Sequence, residues 1–162
     1  SVDAQAYFRD ARSGIVNAGP FPPKVNQPTQ YTIHWIVTTE AADMSAIRLT
    51  SFLQSGARWT GQVKSNVQSQ PVYEPANGRV TWRIDKLPAN KGLVNDPAEA
   101  VFQIEVTPAV HQIGNELVIL SETSLEGHDD FSNTGITGFD EQLTTALPDD
   151  PTAQGGANGV QP

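Results

Sequence analysis

Between Pro28 and Thr39 the chain reads PTQYTIHWIVTT, with Tyr31, Ile33, Trp35 and Val37 on one side and Thr32, His34 and Thr38 on the other. A period of two in β-branched and aromatic residues predicts a strand with one face in a core. Trp35 is the largest apolar group on that face, so the remaining strands are expected to gather around it.

The same alternation recurs along the chain. Residues 1–9 predict a short strand with Val2, Ala4, Ala6 and Phe8 on one face. Residues 19–29 hold four prolines and a glycine, which predicts an extended connection. Ile47, Leu49, Ser51 and Leu53 alternate with Arg48, Thr50 and Phe52 in a second half-buried strand. Asn77-Gly78 is a hairpin signal favouring positive φ at both residues, and it predicts that Val80, Trp82 and Ile84 pair back on residues near Val72. Ala100, Phe102, Ile104 and Val106 form another inward face. Residues 115–125, the most continuously apolar run, read as a central strand. Residues 127–138 read as a polar, glycine-rich loop, and 139–147 as a last strand. No segment holds a helical period beyond about two turns. The expected fold is all-β, an antiparallel β-sandwich of about seven to nine strands over residues 1–147, followed by a flexible tail at 148–162. Its core is expected to contain Phe8, Ile33, Trp35, Val37, Leu49, Leu53, Val80, Trp82, Ile84, Phe102, Ile104, Val106 and Ile119.

Composition narrows the function. A net charge of −8, with ten scattered basic residues, argues against nucleic acid and anionic membranes, which need clustered Lys and Arg. The chain has no cysteine, which excludes disulfides, zinc-thiolate sites and thiol catalysis. No apolar run approaches the roughly 18 residues of a membrane span. A start at Ser1 without a signal-peptide pattern reads as a processed chain or a piece of a longer one.

The stretches GPFPPKVNQPTQYTIHWIVTT, YEPANGRVTWRIDKLPA, PAEAVFQIEVTPAVHQIGNELVILSETSLEGHDDFSN and LTTALPDDP follow one another as in an immunoglobulin-like repeat domain of unknown function. The chain resembles that family, found in prokaryotic cell-surface proteins including those of candidate-phylum bacteria, over nearly its whole length, roughly residues 7–151. The resemblance implies an extracellular β-sandwich module, structural or adhesive and without catalysis, whose partners are neighbouring copies or modules of one surface assembly. Such a chain is either a terminal module of a larger surface protein or a small processed subunit. The sharp form of this reading is a filament built by strand donation, with the N-terminal strand, residues 2–9, or the tail residues 157–161 as donor.

Candidate chemistry is sparse. No Gly-x-Ser-x-Gly is present, and Ser121, Ser124 and Ser132 sit in ordinary strand or loop sequence. His34 lies mid-strand opposite the Trp35 face, His111 lies in a loop, and His128 lies among acids. Glu126, Asp129, Asp130 and Asp140 are hard oxygen donors expected in loops at one end of the sandwich, where they could hold Ca²⁺, although the EF-hand spacing is absent. The competing reading is that these carboxylates cap turns. Trp59, flanked by Arg58, Thr60 and Gly61, is the one tryptophan expected to be exposed, as a stacking platform for a glycan or a protein partner.

Overall fold

The computed structural model describes residues 1–54, 56–154 and 159–162. It contains β1 (Val2–Tyr7), β2 (Thr29–Val37), β3 (Met44–Phe52), β4 (Ala57–Ser65), β5 (Val72–Glu74), β6 (Arg79–Leu87), β7 (Ala98–Val106), β8 (Val118–Leu120), β9 (Thr123–Asp129), β10 (Thr134–Asp140) and β11 (Leu143–Thr144). Two antiparallel sheets, ordered β1-β2-β7-β4 and β10-β9-β3-β6-β5, face each other as an immunoglobulin-like sandwich; β8 and β11 form a separate two-stranded piece. The sandwich has nine strands among the described residues, within the expected seven to nine.

Tyr31, Ile33, Trp35 and Val37 are fully buried. Trp35 meets Phe102 edge to face at 5.1 Å and donates its indole N–H to Thr123 Oγ1 at 3.0 Å. An aromatic body among aliphatic side chains with its one polar atom satisfied is how a tryptophan is buried without penalty. The expected core is present, except that Leu53 is only partly buried and packs at its margin. The β5–β6 hairpin pairs Tyr73 with Val80 as expected. Of the Asn77-Gly78 pair, however, only Gly78 takes positive φ, because the loop spans four residues with the amides of Asn77 and Gly78 both donating to the Glu74 carbonyl.

Three expectations are corrected. The run 115–125 is two strands, β8 and β9, rather than one central strand. Residues 127–138 are mostly the β9–β10 hairpin, not a loop. Gly127, Gly135 and Gly138 stand at strand positions, where the missing side chains erase the period that identifies a strand. The described residues after 147, 148–154 and 159–162, are not a free tail. Asp150 is fully buried, Val160 is 1% exposed, and the chain is held by Gly114 N–H to Val160 O and Gln161 N–H to Pro23 O. Of the tail donor segment 157–161, residues 157 and 158 lie outside the described residues, and Val160 and Gln161 are bridged to Ile113 and Lys24 of this same chain.

The N-terminal strand pairs with β2 over six residues, from Val2↔Val37 to Tyr7↔Thr32. Its outer edge is occupied by side chains. Asp140 Oδ2 accepts from Ala4 N–H at 2.7 Å, and Asp150 Oδ2 accepts from the amides of Phe8 and Arg9, each at 2.9 Å.

Candidate functional site

The four candidate calcium ligands have separate partners. Glu126 lies on β9 and pairs with Arg48 of β3. Asp129 closes the β9–β10 turn, its Oδ1 accepting from the amides of Phe131 and Ser132 at 2.9 and 3.0 Å. These turn hydrogen bonds, from Ser132 first, hold its carboxyl below the usual range. Asp130 accepts from the Ser45 hydroxyl at 2.6 Å. Asp140 faces β1 beside Asp3 and Asp149, and the Asp149 carboxyl is pushed up by burial and then by those two negative neighbours. Among the described residues no three His, Cys, Asp or Glu side chains are placed to hold a metal ion. Three of the four stand on strands rather than loops, because the glycine-rich stretch that appeared to carry them is a hairpin.

Trp59 is half-buried, not exposed. It lies on β4, an edge of one sheet, and stacks on Tyr73 of β5, the facing edge of the other, at 5.4 Å and 8°. Its ring also meets Phe102 at 5.2 Å. The pair seals one open side of the sandwich, so a face that a sugar ring would stack on is covered by Tyr73.

The serines are absorbed by the sheets. Ser121 Oγ accepts from the Phe52 amide, Ser124 Oγ donates to Thr50 O, and Ser132 Oγ bonds Thr134 Oγ1. His111 is exposed on a short 3-10 turn, and His128 bonds Asn133 Oδ1 at 3.0 Å.

The densest polar chemistry surrounds His34, whose face of β2 was expected to be the polar one. Both faces of β2 are covered: Thr32 is fully buried and His34 is 1% exposed. The segment 10–17 folds over this face, and it meets the ring from both sides. His34 Nε2 lies 2.6 Å from Asp10 Oδ2, and Nδ1 lies 2.8 Å from Glu99 Oε2. Arg12 donates to the same Glu99 oxygen at 2.9 Å, and Tyr7 sits edge-on to the imidazole at 5.1 Å. Thr32 Oγ1 donates to Asp10 Oδ2 at 2.6 Å. Burial alone would raise the Asp10 carboxyl; hydrogen bonds from Thr32, His34 and Ser13 outweigh it and hold the group below its ordinary value. Arg12 Nη2 also lies 3.1 Å from Nδ1, so the ring is held between two carboxylates and a guanidinium.

This arrangement ties a loop to a sheet. Both ring nitrogens are engaged, and the Thr32 hydroxyl beside them is buried and already donates, so neither a free base nor an accessible nucleophile is left. The open hollow of about 230 Å³ against this cluster is lined by Arg12, Lys64 and Asn66 among others. Sequence reasoning missed the cluster because its members lie at positions 10, 12, 34 and 99 with no characteristic spacing. The one available signal was a histidine and a threonine interleaved with the most apolar residues of a strand, which marks a second covered face.

No protein-family profile matches the sequence. No curated protein matches it either. Solved structures do share its fold. The D312A variant of BcpA, the major pilin subunit of Bacillus cereus, superposes with a TM-score of 0.52 at 16% identity, covering 89% of this chain and 39% of that one. The RrgA Jo.In complex gives a TM-score of 0.51 at 8% identity over 73% of this chain and 77% of that one. The chain therefore spans about two fifths of the BcpA chain it matches. At these identities the likeness is one of fold.

Proposed function

We propose that the chain is a non-catalytic structural module of an extracellular surface assembly, contributing length and contacts. The observation that carries this reading is the course of the backbone. Ser1 is bonded to Thr38 at one pole of the sandwich, where β2 ends. Gln161 is bonded to Pro23 and Val25 at the other pole, where β2 begins and Asn26 meets Pro108. Nine-residue strands separate the poles by about 30 Å. A backbone that enters at one end and leaves at the other lets β-sandwich units be joined in line. The two poles also expose apolar side chains, Leu93, Val94 and Phe131 at the first and Val110 and Ile113 at the second. Such groups suit end-to-end contact with a neighbouring module. The fold shared with a Bacillus cereus pilin subunit is consistent with that architecture.

Assembly by donation of β1 is the finer form of the reading. It requires breaking a six-residue ladder and displacing the carboxylates of Asp140 and Asp150, so in-line contact at the poles is the better-supported mode. The test is immunogold labelling of intact source cells before and after protease shaving. Surface label that shaving removes is expected. Label that appears only after lysis overturns the proposal.

A further inference from the structure

The sandwich has four strand edges, and three are blunted. β1 is capped by Asp140 and Asp150, β4 carries a register irregularity between Trp59 and Val63, and β5 is only three residues long. Short, bulged or capped edges resist pairing with another chain. The fourth edge, β10, is neither short nor bulged, and β1 engages it at its end, where Asp140 accepts from Ala4 N–H. It pairs in unbroken register with β9 over seven residues, and Thr134–Phe139 (TGITGF) contains no charge and no proline. Phe139 on this strand is 69% exposed.

The groups that β10 leaves open follow from its ladder. Asp130 donates its amide to Asp43 O beside β3, so the even-numbered residues of β9 address β3 and the odd-numbered ones address β10. The odd residues 129, 127, 125 and 123 pair with Thr134, Ile136, Gly138 and Asp140. The backbone N–H and C=O groups of Gly135, Thr137 and Phe139 therefore point away from the sheet.

We propose that β10 pairs antiparallel with β10 of a second copy about a two-fold axis at Thr137, joining two five-stranded sheets into one. In that register Thr137 faces its own counterpart, and Phe139 of each copy lies opposite Gly135 of the other. The outward backbone groups of all three residues are then satisfied, and each exposed phenyl ring covers the bare surface of a glycine. The flanking pairs are Asp140 with Thr134 and Glu141 with Asn133, so no like charges face each other. The self-complementary Gly-x-Thr-x-Phe spacing makes a second copy the occupant; a strand of a different sequence would not place an aromatic over both glycines. A single pair of edge strands is a limited contact, so the dimer is weak and concentration-dependent. With a net charge of −8 on each copy, it tightens as salt is raised. The inference is independent of where the protein resides.

Sedimentation velocity from about 10 μM to 1 mM in about 0.15 M salt is the measurement, since that range spans weak association. A reversible monomer–dimer equilibrium is expected. Thr137→Pro removes one outward amide without touching the β9 ladder and is expected to shift dissociation at least tenfold, with Phe139→Ala weakening it less. The chain has no cysteine, so Thr137→Cys gives a single thiol that should cross-link two copies on oxidation, whereas Thr60→Cys on β4 should not. Unchanged thermal melts of the variants show that the fold is intact. A monomer throughout the range, a dimer indifferent to Thr137→Pro, or a dimer that Thr137→Cys fails to cross-link overturns the proposal.

Discussion

The Tyr31 hydroxyl is buried without a hydrogen-bond partner among the described residues, and its ring meets the stacked rings of Phe8 and Phe21 edge-on. Burial pushes its pKa well above the ordinary phenol value. An unpaired buried hydroxyl costs free energy that a hydrogen atom in its place would not. Tyr31→Phe is therefore expected to stabilise the fold by about 1 kcal/mol, raising the melting temperature by about 2–4 °C in a calorimetric scan. His34 is the opposite case. His34→Ala leaves the Asp10 and Glu99 carboxylates facing a cavity, and is expected to cost about 3–5 kcal/mol in urea unfolding. The alternation of β2 showed which side chains share a face with Trp35, but not that residues 10–17 would cover the other face. That covering is made by contacts distant in sequence, 22 positions apart for Asp10 and Thr32 and 87 for Arg12 and Glu99.

At the scale of elements, Asp150 is the fastening of the C-terminal segment. Its Oδ1 accepts from the amide and hydroxyl of Thr152 at 2.9 and 2.6 Å, while Oδ2 accepts from Phe8 and Arg9 at the end of β1. Burial opposes ionisation, but these four hydrogen bonds prevail and the carboxyl is held below its usual range. A depressed folded-state value stabilises the fold above the unfolded pKa of about 3.9, and this contribution is lost as pH falls through the lower folded-state value. Asp10 acts in the same sense. Melting temperature is accordingly expected to decline below about pH 4, with Asp150→Asn flattening that decline. The variant is also expected to lose about 3 kcal/mol at neutral pH, because its amide group opposes the donors of Phe8 and Arg9. The sequence around Asp150 reads as tail because Pro, Gly and Asp mark turns wherever they stand; only the distant end of β1 turns these residues into a clasp. Three glycines conceal the β9–β10 hairpin in the same way, by removing the side chains on which a period is read.

For the whole molecule, the carboxylates are distributed as fasteners rather than gathered as ligands. Adding millimolar CaCl₂ or EGTA is expected to leave the melting temperature unchanged, since Glu126, Asp129, Asp130 and Asp140 each answer a different partner; a shift of several degrees would restore a calcium site. The all-β class, the position of Trp35 at the centre and the core faces of β2, β6 and β7 were legible in the sequence, because alternation along a strand is local and burial selects for it residue by residue. The pairing of strands beyond the β5–β6 hairpin, the cover over His34, the docking of residues 148–154 and 159–162 and the open edge of β10 were decided by tertiary structure. Each depends on which distant segments meet, and backbone groups left over at an edge carry no mark in the side chains that precede or follow them.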